Sequence, residues 1–195
     1  VKYIVTLSSV GAHLEEGAGV VQGLERMEKA FNAISGISIR HLRATYFMEN
    51  TLAQVGSIKF MGAMASPVFG DLKVPMVATK DIAAVGLKRL AELNFSGSSY
   101  EYVLGQREVS YNEIASIYGK IVGMPDLKYI AVPYEDAVNA MMGMGMGASV
   151  STKLVEFVKS MNEGKVLSDA VRTPENTTPT SIEEFAEFFK MVFEG

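Results

Sequence analysis

The sequence predicts an α/β fold, with part of a Rossmann-like parallel β-sheet and a smaller, mainly helical lobe. The first observation is an almost continuously apolar, β-rich run at Lys2–Leu7, which is typical of a buried strand. The second is an amphipathic helix over 24–34, which ends before Gly36. The third is a second strand at Ile37–Arg43. Strand, helix and strand in this order form one crossover of a parallel sheet.

The remaining elements follow from local signals along the chain. A glycine-rich loop is expected at 11–23. Beyond the second strand the sequence predicts two further strands, at Tyr100–Leu104 and Leu127–Val132. It predicts helices at Glu49–Val55, from Thr79, from Ser110 towards Val122, from Pro133 into a Met-Gly run, around Leu154–Met161 and from Thr180. Irregular strands and loops are expected over 56–78, and a loop over 165–179.

Three helix starts are assigned to hydroxyl side chains. Thr79, Ser110 and Thr180 can each accept a hydrogen bond from a backbone N–H of the first turn. Ser110 and Thr180 are each followed three positions later by a glutamate, which is the spacing of a capping box. Asp81 falls in the first turn after Thr79, where a carboxylate suits the helix dipole, and it is given no other role.

Composition excludes several classes of protein. The chain has 195 residues, enough for one large domain or two small ones. Its net charge is −4 and it has no basic block, so direct binding to nucleic acid is not expected. Without cysteine it forms neither disulfides nor thiolate metal sites, which fits a cytoplasmic setting. Its two histidines are too few for a typical metal site, and no apolar run approaches the length of a membrane span.

Polar residues follow both strands of the crossover at its carboxyl end, the edge where open parallel sheets bind ligands. Ser8 and Ser9 end the first strand, where they could donate hydrogen bonds to a ligand or form a strand-ending turn. The segment Ala44–Asn50 follows the second strand and is placed at the same mouth. The serines are not assigned as nucleophiles because no histidine and aspartate at suitable spacing accompany them.

The histidines and a methionine run complete the candidates. His13 lies in the polar loop after the first strand, where it could donate a proton at the mouth or remain a solvated side chain. His41 alternates with apolar strand residues, which indicates a structural role. The run Met141–Gly147 could form an adaptable lid over an apolar ligand or a fraying helix end.

Several of these segments together resemble the NmrA-like family, whose members are atypical relatives of the short-chain dehydrogenase/reductases and bind NAD(P). The resemblance corresponds to the C-terminal portion of the family and covers nearly the whole chain. The segments that carry it are Ser8-Ser-Val-Gly-Ala12, the helix with Glu28, Arg43-Ala-Thr-Tyr-Phe-Met-Glu-Asn50, Lys80-Asp-Ile-Ala83 and Thr178-Pro-Thr180 with Phe185. The Phe-Met-Glu-Asn turn is the most specific of them.

The resemblance implies a Rossmann-like domain that binds NAD or NADP. Residues 1–105 would form the second half of that domain, and residues 106–195 a mainly helical lobe on the substrate side, interleaved with it. The implied cofactor-binding residues are Ser8, Ser9, Val10, Thr45, Tyr46, Phe47 and Asn50. Asn50 would bond the nicotinamide carboxamide. Contacts with the substrate are assigned to His13, Met141 and Met144.

Two departures from the family pattern bear on activity. The family's glycine-rich phosphate-binding segment is expected to be absent from this chain, together with the first half of the sheet. The run Gly17–Gly23 mimics that segment but does not leave a strand directly, which favours an ordinary flexible loop. Alignment on Glu28 places Val20 and Leu24 where active relatives have Tyr-x-x-x-Lys.

Three functions therefore remain open. The first is NAD(P)H-dependent reduction of a small acceptor such as a quinone or an azo compound, which needs less help from a proton donor than ketone reduction. The second is a non-catalytic NAD(P) redox sensor with a protein partner. The third is a truncated relative that binds no nucleotide alone. Because a parallel strand begins at residue 2, we expect exposed sheet surface, and hence a homo-oligomer or a completing chain.

Overall fold

A computed structural model describes all 195 residues. In chain order the strands and helices are β1 (Tyr3–Ser9), α1 (Gln22–Asn32), β2 (Ser38–Ala44), α2 (Gln54–Met61), β3 (Ala63–Ser66), α3 (Thr79–Glu92), β4 (Ser98–Val103), α4 (Tyr111–Ile121), β5 (Lys128–Ala131), α5 (Tyr134–Gly143), α6 (Ala148–Asn162) and α7 (Ile182–Glu194). Short 3₁₀ segments lie at Gly19–Val21, Met48–Ala53 and Pro174–Asn176.

The strands form two parallel sheets. The larger has the order β1-β2-β4, and its carboxyl edge is formed by Ser9, Ala44 and Val103, the last residues of the three strands. The smaller pairs β3 with β5. The predicted α/β class with a Rossmann-like parallel sheet is confirmed, and β1 and β2 lie within two residues of their predicted positions. None of the helices is long and apolar enough to cross a membrane.

The two faces of the larger sheet differ in polarity. One face packs against α3 through an apolar cluster, whose buried members are Leu42, Ala44, Val77, Ile82 and Val103. The other face carries polar side chains, among them Thr6, Ser8, His41 and Arg43, and α1 covers it. Because buried polar groups require partners, this second face fixes α1 through hydrogen bonds more than through apolar contact.

The main hydrophobic core lies beside the larger sheet and joins both ends of the chain. It contains Val10, just after β1, together with residues of α4 and α7. At its centre the ring of Tyr118 stacks on that of Phe189, with 4.0 Å between the centroids. Both aromatic side chains are fully buried. The core therefore holds the segment after β1 against helices that are more than 100 residues away in sequence.

The predicted helix starts were confirmed in one case and wrong in two. Ser110 is the N-cap of α4, and its Oγ accepts a hydrogen bond from the backbone N–H of Glu113 at 3.2 Å. Ala78, not Thr79, is the N-cap of α3, because the backbone and hydroxyl of Thr79 both donate to Glu49.

The last helix also begins differently from the prediction. Ser181, not Thr180, is the N-cap of α7 and accepts from the backbone N–H of Glu184 at 3.0 Å. Thr180 instead donates from its N–H and its hydroxyl to Asp81, at 3.0 and 2.9 Å. Asp81 is buried, so its role extends beyond the start of α3: it ties that helix to the segment before α7.

The region after β2 is more helical than predicted. A single helical stretch begins as the 3₁₀ segment at Met48–Ala53 and continues into α2, which ends at Met61 rather than near Val55. Gly62 ends the stretch in the left-handed conformation, with φ of 70°.

The glycine-rich segment after β1 is packed against α6 rather than free. The hydroxyl of Ser160 donates to the carbonyl oxygen of Gly17 at 2.5 Å. Gly19 has φ of +56°, and a Cβ at this position would lie only 2.0 Å from the carbonyl oxygen of Lys153. The expected flexible loop is thus an ordered support, because a distant helix closes on these glycines.

We predict that Gly19→Ala lowers the free energy of unfolding by about 2–4 kcal/mol, since the new methyl group meets backbone and the left-handed conformation adds strain. Urea unfolding measures this change. The matched control is Gly36→Ala: Gly36 also has a positive φ, of 77°, but a Cβ at this position would have nothing within 4 Å. Equal losses in the two variants would show that α6 does not close on Gly19.

Candidate functional site

The candidate site is built around a row of side chains at the carboxyl edge of the larger sheet. Ser8, Arg43 and Tyr102 stand in register on β1, β2 and β4, each one residue before its strand ends. Residues in register on neighbouring parallel strands point to the same face. All three are buried. We call them the edge row.

Glu28 of α1 neutralises the charge of the edge row. Arg43 donates from Nε and Nη2 to the two carboxylate oxygens of Glu28, at 3.0 and 2.7 Å, and Ser8 Oγ donates to Oε1 at 2.5 Å. The charged side chains are only 8% and 7% exposed. Burial alone would raise the pKa of Glu28, but the hydrogen bonds from Arg43 and Ser8 outweigh it and lower that pKa. Glu28 is therefore an ionised, buried carboxylate at neutral pH.

Asp169 joins the edge row from the segment after α6. The hydroxyl of Tyr102 donates to its Oδ2, and Arg43 Nη1 lies 3.9 Å from the same oxygen. Nδ1 of His13 lies 3.0 Å from Oδ1 of Asp169. Burial and donation to Asp169 both raise the pKa of Tyr102, so its hydroxyl keeps its proton. The guanidinium of Arg43 also lies over the ring of Tyr100, 3.7 Å from its centroid.

His41 serves the structure of this face, as the sequence predicts. It is buried, its Nδ1 lies 2.6 Å from the hydroxyl of Thr6, and its Nε2 lies 2.9 Å from Oδ1 of Asn32. Burial lowers the pKa of His41, although the charge of Glu28 partly offsets this effect. His41 therefore joins β1, β2 and α1 as a neutral side chain.

The turn that carries Asn50 is fixed on both sides. Glu49 accepts hydrogen bonds from the backbone and the hydroxyl of Thr79, at 3.0 and 2.6 Å. The hydroxyl of Thr51 lies 2.8 Å from that of Tyr118, in the centre of the main core. Asn50 between them is exposed, and its side chain makes no hydrogen bond within the protein. The structure thus presents a free amide on a fixed backbone.

The turn between β2 and this segment is also held by the backbone. Thr45 donates from its buried hydroxyl to the carbonyl oxygen of Pro75, and Phe47 pairs with Val77 in a parallel bridge. Tyr46 and Phe47 are half-buried. Burial raises the pKa of Tyr46, partly offset by a hydrogen bond from Tyr111, so the phenol of Tyr46 is protonated at neutral pH.

The residues expected to bind a cofactor therefore fall into two groups. The side chains of the first group are buried, and both of its hydroxyls are bonded within the protein; its members are Ser8, Val10 and Thr45. The side chains of the second group remain at least partly exposed, and its members are Ser9, Tyr46, Phe47 and Asn50. All seven follow or end β1 and β2, so the structure brings them to the same edge.

The methionine run lies at the turn between α5 and α6. Met144 is 80% exposed, whereas Met141 is half-buried. The hydrogen bonds of the run are local, from Met144 N to Ala140 O and from Met146 N to Met141 O. A substrate contact at Met141 and Met144 stays a prediction.

The two positions aligned with the Tyr-x-x-x-Lys pair have no polar function. Val20 is 41% exposed, and Leu24 packs against a small cluster that includes Val21. No group of three or more potential metal ligands occurs in the structure.

A surface cleft of about 720 Å³ lies beyond the end of β4. Its lining includes Arg172, whose donors are already committed to Glu108, to two carbonyl oxygens and to the hydroxyl of Thr177. Because Glu108 already neutralises this guanidinium, the cleft lacks the free positive charge that a phosphate group would need. The edge row remains the better candidate.

Sequence reasoning missed most of the polar network. Arg43 and Tyr102 could have been found from their place in strands, because a charged or phenolic side chain there that shares a face with Ser8 must be paired. Asp169 gave no signal, since it lies in a loop without regular spacing. For His13 the sequence left two roles open, a proton donor and a solvated side chain, and it gave no sign of the neighbouring carboxylate of Asp169.

The chain is similar in sequence to curated reductases and dehydrogenases. No protein-family model matches it. It is 27% identical over 190 residues to the NAD(P)H azoreductase of Xenophilus azovorans. The aligned residues are 97% of this chain and 65% of that enzyme. It is 26% identical over 151 residues to festuclavine dehydrogenase of Aspergillus fumigatus, or 75% of this chain and 51% of that enzyme. The chain thus spans between half and two thirds of the length of these relatives.

Solved structures show the same fold. The NADPH-dependent quinone oxidoreductase of Escherichia coli, in complex with NADPH, superposes with a TM-score of 0.80 at 21% identity, over 96% of this chain and 65% of that one. The triphenylmethane reductase of Citrobacter sp., in complex with NADP(H), gives 0.75 at 16% identity, over 97% and 66%. The negative transcriptional regulator NmrA, in complex with NADP, gives 0.63 at 11% identity, over 100% and 63%. The expected resemblance to NmrA is thereby confirmed at the level of the fold.

We predict that Glu28→Gln lowers the free energy of unfolding at pH 7 by about 3 kcal/mol, since it leaves Arg43 buried without its full counter-charge. Because folding lowers the pKa of Glu28, its contribution is complete above the ordinary value of 4.5 and is lost as the pH falls through the lower folded value. The destabilisation should therefore shrink in acid.

Urea unfolding between pH 7 and pH 3 measures both effects. Glu15→Gln is the control, because the Glu15 side chain is 85% exposed and its nearest cation, Lys29, is 4.0 Å away. A loss at Glu28 that is constant over this pH range would contradict the account of the ion pair.

Proposed function

We propose that the chain forms part of an NAD(P)H-dependent reductase whose acceptor is a small azo compound or quinone. The proposal is supported by the azoreductase relative, by the structural likeness to a quinone oxidoreductase, and by the carboxyl edge of the sheet. A dihydronicotinamide, when bound, would supply the hydride. The residues of this chain would bind it, orient it and shape the space for the acceptor.

The observation that carries the proposal is the fixed turn with its free amide. Asn50 can both donate and accept hydrogen bonds, which matches a carboxamide. Anchors at Glu49 and Thr51 hold its backbone, so little conformational entropy is lost on binding. Tyr46 and Phe47, half-buried beside it, offer apolar ring surface for a flat nicotinamide.

The buried residues of the expected site are assigned a supporting role. Ser8 and Thr45 already donate their hydroxyl protons to acceptors within the protein, so these protons are not available to a ribose. The two residues are assigned to fixing the ends of β1 and β2. Val10 packs into the main core and gives the site its shape. Ser9, whose side chain is half-buried, is the serine assigned to the ribose.

The acceptor is assigned to the opposite side of this edge. His13 contacts it from the loop after β1, and the methionines Met141 and Met144 would cover an apolar acceptor from the α5–α6 turn, where an unbranched side chain adapts to different shapes. In this division residues 1–105 supply the cofactor side, and residues 106–195 supply most of the acceptor side.

A second function, a non-catalytic NAD(P) sensor, is favoured by one observation. Val20 and Leu24 replace the pair that moves a proton in active relatives, and sensing needs no proton donor. Likeness in fold to the regulator NmrA is compatible with this interpretation. Such a sensor would act through a protein partner. β1 is an edge strand with Leu7 half exposed, so a homo-oligomer or a second chain is the proposed partner of that edge.

Nucleotide binding and turnover separate these functions. We predict that the full chain binds NADPH or NADH in calorimetry and oxidises it when an azo dye or a quinone is added. Binding without turnover of either acceptor would favour the sensor. Failure to bind either nucleotide would contradict both functions. The third alternative would then remain, a truncated relative that binds no nucleotide alone.

We also predict that Asn50→Ala raises the Kd for the nucleotide about fivefold to tenfold, the usual effect of losing one or two hydrogen bonds. Calorimetry measures the change. The control is Asn139→Ala, which removes an exposed amide on α5. An unchanged Kd in the Asn50 variant, with normal stability, would place the carboxamide elsewhere.

A further inference from the structure

We propose that His13 is the proton donor of the acceptor half-reaction, with Asp169 and Tyr102 as its positioning residues. The proposal rests on the proposed reductase function. It gives a source for the proton that the usual Tyr-x-x-x-Lys pair cannot provide in this chain, since Val20 and Leu24 stand at those positions.

The three residues lie at the edge where the acceptor is expected. Tyr102 belongs to the edge row, one residue before the end of β4, and its hydroxyl donates to Asp169 Oδ2. Asp169 in turn faces His13, which stands four residues after the end of β1. A chain of contacts thus runs from the sheet through one carboxylate to one imidazole.

The imidazole of His13 contacts the protein through both nitrogens and is exposed over part of its ring. Nδ1 of His13 and Oδ1 of Asp169 are both shielded from solvent and lie 3.0 Å apart, but they are not aligned as a hydrogen bond. The His13 side chain is nevertheless 22% exposed, so its exposure lies on the rest of the ring. Nε2 is 3.3 Å from the hydroxyl of Ser168. Contacts of this kind often tighten only when the ligand binds.

The charges around the pair leave Asp169 able to orient the imidazole. Arg43 lies 3.9 Å from Asp169, but its short, two-point contact is with Glu28. Tyr102 adds a hydrogen bond without a charge. The Asp169 carboxylate is therefore not paired with Arg43 at short range, and it can position the imidazole through Nδ1.

Other protic side chains near the edge are less suited to this role. His41 is buried, whereas the ring of His13 is partly exposed. The proton of Tyr102 is bound to Asp169. Burial raises the pKa of Tyr46, which makes it a weaker acid. His13 is the remaining imidazole here, its side chain is 22% exposed, and imidazole is the group that most often serves as a general acid.

The proposed step balances for an azo acceptor. The acceptor gains one hydride at the first nitrogen, and the π electrons of the N=N bond pass to the second nitrogen. His13 Nε2 gives its proton to that second nitrogen, an N–H bond forms, and the product is a hydrazine. Solvent returns a proton to the neutral imidazole. A quinone gains one hydride and one proton in the same way.

A cationic acceptor provides the test, because a triarylmethane cation becomes neutral on gaining hydride alone and needs no proton. We expect His13→Gln to reduce kcat for the azo dye about 10²-fold or more, the usual cost of losing a general acid, with little change for the triarylmethane dye. Asp169→Asn should show a smaller loss with the same selectivity. Added imidazole should partly restore azo reduction in His13→Ala.

The control is Glu15→Gln, two residues from His13 in the same loop, which should leave both rates unchanged. Equal losses for the two dyes in correctly folded His13→Gln would show a structural role and overturn the proposal, as would full retention of azo reduction. If the wild-type chain reduces neither dye and no quinone, the proposed function fails and this inference fails with it. The wild-type rates alone distinguish that result from the failure of His13.

Discussion

The buried ion pair between Glu28 and Arg43 is the interaction on which the site depends. A charged residue inside a parallel sheet is costly unless its charge and its hydrogen-bond donors are satisfied. Glu28 meets this need from α1 and also receives the hydroxyl of Ser8, so one carboxylate joins the ends of β1 and β2 to their crossover helix. On the opposite face of the sheet, the apolar cluster against α3 supplies the hydrophobic burial that the polar face does not.

The ion pair also divides the carboxyl edge into fixed and available groups. Arg43 is neutralised on one side, so Asp169 remains free to face His13. On the other side of the edge, the main core fixes the turn after β2 through Thr51, and the amide of Asn50 stays unpaired. A rigid frame that leaves a few polar groups unpaired at one edge is typical of binding sites, where preorganised groups bind without further loss of entropy.

The parts of this structure that could be predicted from sequence are those governed by neighbours along the chain. The capping by Ser110 depends on a residue three positions away, and the structural role of His41 follows from alternation within one strand. Thr180 was misassigned because its partner, Asp81, is 99 residues away. Asp169 was missed for the same reason, since only the folded chain brings its loop to β4. The candidate mouth could be located from strand ends alone, but its charges could not.

The claim that the carboxyl edge of the larger sheet is the nucleotide site can be tested by hydrogen exchange of backbone amides, measured with and without NADPH. We expect added protection at the residues that follow β1 and β2, chiefly over 9–13 and 45–51. Little change is expected in the exposed turn between α5 and α6 unless an acceptor is also present. Protection confined to the cleft beyond β4, with none after β1 and β2, would show that the nucleotide binds elsewhere.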